Sequence, residues 1–128
     1  TRTPTRTSTP TRTPTLSILD CMPSVRFTVS TGQHPKSVAA GLKGFYVGHF
    51  DHGQIVRADA SSGIRRQIVS AGVGKTNGMA IWSDYLIAAN RDSGTVTLYN
   101  AISGIRLATL NVGSLPWGVA AADGRAYV

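Results

Sequence analysis

Residues 78–113 read GMAIWSDYLIAANRDSGTVTLYNAISGIRLATLNVG, four short apolar runs separated by turn residues. Strands are expected at about 78–82, 85–89, 95–100 and 105–112. The intervening Ser83-Asp84, Arg91-Asp92-Ser93-Gly94 and Ala101-Ile102-Ser103-Gly104 are the turns. Gly94 and Gly104 tolerate positive φ, while Asp92 and Ser103 can hydrogen-bond their own turn backbone. Thr95, Val96, Thr97, Leu98 and Tyr99 suit a pleated, half-buried strand, and no run has helical spacing.

The same pattern stands 41 residues earlier. Val38 aligns with Met79, Phe45-Tyr46-Val47 with Leu86-Ile87-Ala88, and Gly53 to Asp59 with Gly94 to Asn100. Gly63-Ile64-Arg65 aligns with Gly104-Ile105-Arg106, and Gly72 with Gly113. A third copy opens at Pro116-Trp117-Gly118-Val119 with an offset of 40. A period near 40 residues with four strands per copy is the mark of a propeller blade. The expected class is all-β: a β-propeller of four-stranded antiparallel blades, with blades at 37–72 and 78–113 and a partial one at 116–128. Residues 25–32 align with 106–113 at an offset of 81. They are expected to form the outer strand that closes such a ring and removes a sheet edge.

Composition changes sharply before this point. Residues 1–15, TRTPTRTSTPTRTPT, contain only Thr, Arg, Pro and Ser, which cannot build a core. A disordered linker is expected, reaching roughly 45 Å at about 3.1 Å per residue if extended. It is either a plain spacer or a stalk that carries sugar on its Thr residues, and residues 16–24 connect it to the fold. The chain of 128 residues has 13 Lys plus Arg against six Asp and no Glu, net +7, of which residues 35–128 hold +4. The repeated part is thus only mildly basic. Thr1 at the start and an apolar run at the end read as a processed or truncated piece. The single Cys21 cannot form an internal disulfide. Asp20 before it argues against a lipid anchor, leaving a small buried hydrophobe or a partner for an outside thiol.

Tyr46-Val47, Ala89-Asn90 before Ser93-Gly94-Thr95-Val96, Asn100 to Gly104, Ala108 to Gly113 and Pro116-Trp117-Gly118-Val119 together resemble the YVTN-type β-propeller repeat. The resemblance covers residues 25–128 and is strongest from Gly78 onward. The first copy departs at Ser37, Gly48-His49 and Asp51-His52, mostly in loops. The resemblance implies relatives among NHL-type and lactonase-type propellers, bacterial and archaeal surface-layer proteins, and a periplasmic protein associated with single-stranded DNA.

Chemical motifs are sparse. Gly72 to Thr76 imitates the end of a phosphate-binding loop, but Val69 stands where its first Gly belongs and a strand follows where a helix is needed. His49-Phe50-Asp51-His52 is the densest group of potential ligands. If the turn is tight, His49, Asp51 and His52 converge on one point; the alternative is a plain polar turn like its counterpart Asn90 to Ser93. No G-x-S-x-G elbow and no pair of neighbouring acids appear. No cofactor, catalytic residue or metal site is assigned. Arg65, Arg66 and Arg106 read as charges guarding outer strands, and Trp82 and Trp117 as wedges between blades.

The expected function is an extracytoplasmic binding or scaffold module on a Thr/Pro-rich stalk, recognising a protein, small molecule or glycan. A lactonase-like metal-dependent hydrolase and a single-stranded-DNA binder are the alternatives. The expected first strands, 37–41, 78–82 and 118–122, hold none of the carboxylates the hydrolase needs. In a propeller the fourth-to-first and second-to-third connections share one face. That places His34, His49, Asp51, His52, Lys75, Asn77, Asn90, Arg91, Asp92 and Trp117 together as candidate ligand-binding residues, because rigid strands carrying variable loops are the common seat of recognition.

Overall fold

Short runs of β-branched and aromatic residues interrupted by Gly, Asp and Ser form ten strands in a computed structural model of the chain, which describes residues 28–41, 43–69 and 74–128. The expectations for residues 1–27, including Cys21 and the first part of the 25–32 segment, and for Gly72 and Val73 lie outside the described residues. Among the described residues there is no helix, and none long and apolar enough to cross a membrane.

Strands β1 (Pro35–Gly41), β2 (Gly44–His49), β3 (Ile55–Ala58) and β4 (Arg65–Val69) make one antiparallel sheet in that order. A second repeats it with β5 (Thr76–Trp82), β6 (Tyr85–Asn90), β7 (Thr95–Asn100) and β8 (Arg106–Asn111). The last pair, β9 (Ala120–Ala122) and β10 (Arg125–Tyr127), is a hairpin. Observed boundaries in the second sheet fall within two residues of those expected. The described part of the proposed closing strand, Thr28–Gly32, has no ladder; its Ser30 carbonyl accepts a bond from Arg65 Nη1 at 3.1 Å.

Sequence equivalence becomes conformational equivalence in the turns. After β3, Asp59 N–H bonds Ile64 O and Gly63 N–H bonds Asp59 O; after β7, Asn100 and Gly104 repeat both bonds. Gly63 and Gly104 have φ of 69° and 74°, a region only Gly enters freely. The segments leading into β1 and β9 also match: φ is 128° at Gly32 and 105° at Gly113, then 50° at His34 and 53° at Leu115, each preceding Pro.

Alternation gives each sheet two faces. Tyr46, Ile55 and Val69 of the first sheet pack with Met79, Leu86, Ala88 and Tyr99 of the second in one buried cluster. The opposite face of the second sheet buries Ile87, Ala89 and Val96 against Val119 and Ala121. β5 therefore lies against β1 and β2 on one side and β9 on the other, so three consecutive first strands stand side by side. Ideal Cβ positions confirm the closeness: one on Gly41 lies 2.9 Å from Ile81 Cγ2, and one on Gly78 lies 2.9 Å from Gly118 Cα. Toward its outer edge the second sheet is uncovered. Val69 is 6% exposed beneath its neighbour, whereas its repeat counterpart Leu110 is 64% exposed. Leu110, Trp82, Tyr85 and Leu98 line a groove of about 280 Å³ beside the hairpin.

The Asp59 turn yields a pH prediction. Asp59 Oδ1 accepts bonds from the hydroxyls and backbone N–H groups of Ser61 and Ser62. Those bonds, the Ser61 hydroxyl first, hold its carboxyl well below the usual range. A depressed folded-state value means that this stabilisation is complete above the unfolded value of about 3.9 and is lost as pH falls through the folded one. Asn100 Oδ1 caps the same turn in the second sheet without a charge, accepting from Ile102 and Ser103 N–H at 2.9 Å. Asp59→Asn is therefore expected to keep the denaturation midpoint at pH 7 and to flatten its fall below pH 4, whereas Asp59→Ala lowers the midpoint at pH 7. Thermal melts followed by far-ultraviolet circular dichroism at pH 3 and 7 check both.

Candidate functional site

The first strands of both four-stranded sheets begin with a bulge that re-aims one residue. Pro35 pairs with His49 but Ser37 with Gly48, which leaves Lys36 unpaired; Thr76 pairs with Asn90 but Gly78 with Ala89, which leaves Asn77 unpaired. Trp117 holds the same repeat position before β9. The extra residue of a bulge leaves the alternation of its strand, and here the three equivalent residues meet. Lys36 Nζ lies 5.9 Å from the Trp117 ring centre. Asn77 Nδ2 donates to Trp117 O at 3.3 Å.

The turns after β2 and β6 supply the rest. In both repeats the residue after the strand donates its N–H to the loop preceding the first strand: Phe50 to His34 O at 3.1 Å, Arg91 to Lys75 O at 2.9 Å. One residue later a carboxylate pairs with that loop's basic residue, Asp51 with His34 and Asp92 with Lys75, the latter at 3.2 Å. A repeated main-chain bond and a repeated ion pair thus clasp the two connections. The bond from His34 is the main cause holding the Asp51 carboxyl below its ordinary value, with smaller help from His52 and Lys75. Both pairs are largely exposed, so each fixes geometry more than it adds stability.

These side chains close into a circuit. Lys75 Nζ lies 5.0 Å and Lys36 Nζ 5.8 Å from the Phe50 ring centre. Lys36 continues to Trp117, and Arg91 Cζ lies 5.3 Å from the same indole. Arg91 Nη1 reaches Asp92 at 3.4 Å, and Asp92 returns to Lys75. Two aromatic rings are thus interleaved with three cations and one carboxylate.

Of the expected site residues, His34, Asp51, Lys75, Asn77, Arg91, Asp92 and Trp117 come together here, and His52 is exposed beside Asp51. Two do not reach the surface. His49 is 3% exposed, with Nδ1 3.3 Å from Gln54 O. Asn90 is fully buried and donates to Thr95 and Thr97 hydroxyls at 3.1 and 2.8 Å. Both end a strand instead of opening a turn: Asn90 turns toward the inter-sheet core with Ala88, whereas His49 lies on the opposite face of its sheet, where Gly32 closes over its ring. Of the two readings of this turn, the plain polar turn is the one observed, and His49 does not converge with Asp51 and His52. Among the described residues no three His, Cys, Asp or Glu side chains could share a metal ion.

The tryptophans separate. Trp82 stacks on Tyr85 with ring centres 6.3 Å apart and borders the inter-sheet groove, as a wedge residue should. Trp117 is no wedge: it is 61% exposed and faces cations. Lys36 and Phe50 are site residues missed from the sequence. The repeat alignment already matched them with Asn77 and Arg91, and that equivalence was the available signal.

No protein-family model and no curated protein matches the chain. Among solved structures, hydrazine synthase of Kuenenia stuttgartiensis is similar at a TM-score of 0.61 and 12% identity, over 77% of this chain and 29% of that one. The chain thus spans less than a third of the length of that neighbour. At this identity the likeness is one of fold: antiparallel four-stranded sheets set face to face.

Proposed function

We propose that this chain is a segment of a β-propeller of the YVTN type that serves as a recognition or scaffold module, displayed outside the cytoplasm by its Thr/Pro-rich tract. Support for the architecture is the 41-residue repeat expressed as two matching four-stranded sheets with adjacent first strands. The likeness to a solved structure that contains a propeller agrees with it. An uncovered Leu110 where Val69 is covered leaves space for another sheet. Support for recognition over the lactonase-like alternative is that β1, β5 and β9 carry none of the acids such a site draws from its inner strands.

The observation that carries the functional reading is the convergence of His34, Lys36, Phe50, Asp51, Lys75, Asn77, Arg91, Asp92 and Trp117 on one end of the sheets. The opposite turns carry Lys43, Asp84, Ser61, Ser62 and Ser103 around self-satisfied Asp59 and Asn100, with Arg57 beside them and no aromatic side chain among them. Thermal-shift screening of a mixed library of sugars, organic acids, amines and peptides against the 128-residue chain tests it. Arg91→Ala with Trp117→Ala is expected to abolish the shifts, and Ser61→Ala with Ser103→Ala to leave them within error. The reverse pattern contradicts the assignment of the face.

A further inference from the structure

We infer that the circuit formed by Lys36, Phe50, Lys75, Arg91, Asp92 and Trp117 is a seat for a small organic anion, a carboxylate or phosphate carried on a flat apolar group. This rests on the reading of the loop end as the recognition face and gives that face a ligand class.

Charge sets the sign. Lys75 and Arg91 share Asp92, and Asp51 is engaged by His34. Lys36 has no ion pair among the described residues, and its ammonium lies within 6 Å of two ring centres, Phe50 and Trp117. Aromatic faces attract a cation but take up few of its three N–H donors, so Lys36 retains donors for an anion. Counting Asp51 and Asp92 against the three cations leaves one positive charge before any histidine is protonated.

Shape sets the second half of the ligand. Trp117 is a large flat side chain with most of its surface open, held in place through its own carbonyl by Asn77. Asn77 is 7% exposed, and its Oδ1 has no hydrogen-bond partner among the described residues. That oxygen is itself out of reach of solvent, so it is not counted among the ligand contacts. Anion and planar surface together describe an aromatic or unsaturated acid better than they describe a simple inorganic ion. The separation of roles along the repeat agrees. Equivalent repeat positions hold a cation at Lys36, an amide at Asn77 and an aromatic at Trp117, three different chemistries where a purely structural position would repeat one.

The test uses intrinsic tryptophan emission of the 128-residue chain titrated with benzoate, phenyl phosphate and benzamide. Benzoate and phenyl phosphate are expected to give saturable changes, with the tighter of the two identifying the anionic group, and neutral benzamide to give none at the same concentrations. Trp117→Phe, with an unchanged far-ultraviolet spectrum, is expected to remove the change. Lys36→Gln is expected to weaken binding about tenfold, the size of one lost hydrogen bond to a charged group, and Lys36→Arg to restore most of it. Equal binding of benzamide overturns the anion requirement, and if Trp117→Phe still abolishes that binding the loop face stands while the ligand class falls. A signal that survives Trp117→Phe moves the ligand to the groove beside Trp82 and overturns the site. An oligothymidylate binding a hundredfold more tightly than phenyl phosphate overturns the small-molecule class in favour of a nucleic-acid surface. No saturable change with any probe overturns the proposal as a whole.

Discussion

Gly104→Ala is expected to destabilise the chain by roughly 3–5 kcal/mol, combining backbone strain with an overpacked contact. Its φ of 74° already disfavours a side chain. An ideal Cβ there stands 1.8 Å from the carbonyl oxygen of Ile68. That oxygen belongs to β4 of the neighbouring sheet, so relief requires either the turn or the neighbouring sheet to move. Gly113→Ala is the control: φ is 105°, but nothing lies within 4 Å of its Cβ. Strain alone then costs about 1 kcal/mol. Urea denaturation of the two variants measures the difference. Equal losses would show that the β7–β8 turn does not press on the first sheet.

Leu86→Ala is expected to cost about 3–4 kcal/mol, the usual range for emptying a fully buried leucine site. Leu86 is 0% exposed within the cluster that joins the two sheets. Leu110, on the opposite face of the same sheet, is the contrast, and its truncation to Ala is expected to stay within about 0.5 kcal/mol because most of it is already in water. The pair also probes the uncovered groove. A loss at Leu110 as large as that at Leu86 would mean that another layer covers the far face.

The fold was legible because its signals are local. Gly63 and Gly104 had to sit where positive φ is required, and Asp59 and Asn100 had to cap the turns before them, so a 41-residue match in the sequence carried over into matching hydrogen bonds. Side-chain direction at strand ends was less legible. Whether His49 and Asn90 begin a turn or finish a strand depends on one more pair in the ladder, His49 with Pro35 and Asn90 with Thr76, and that pair fixes which face of the sheet each side chain takes. The bulge had no motif of its own. Lys36, Asn77 and Trp117 share no chemistry, and they become one site only because three first strands stand together and hold the same repeat position side by side, with the ladder broken at Lys36 and Asn77. Phe50 was passed over for a related reason: between two histidines and an aspartate it looked like filler, yet its ring is what Lys36 and Lys75 gather around.

Consecutive first strands, β1, β5 and β9, stand side by side without pairing, each at one edge of its own sheet, and the site depends on that placement. Proton–proton Overhauser contacts in the folded chain test it directly. Contacts are expected from the Gly41 α-protons to the Ile81 γ-methyl and from the Gly78 α-protons to the Gly118 α-protons, with the β1–β2 and β5–β6 ladders intact beside them. Intact ladders without either contact, or a ladder linking β4 to β5, would contradict it.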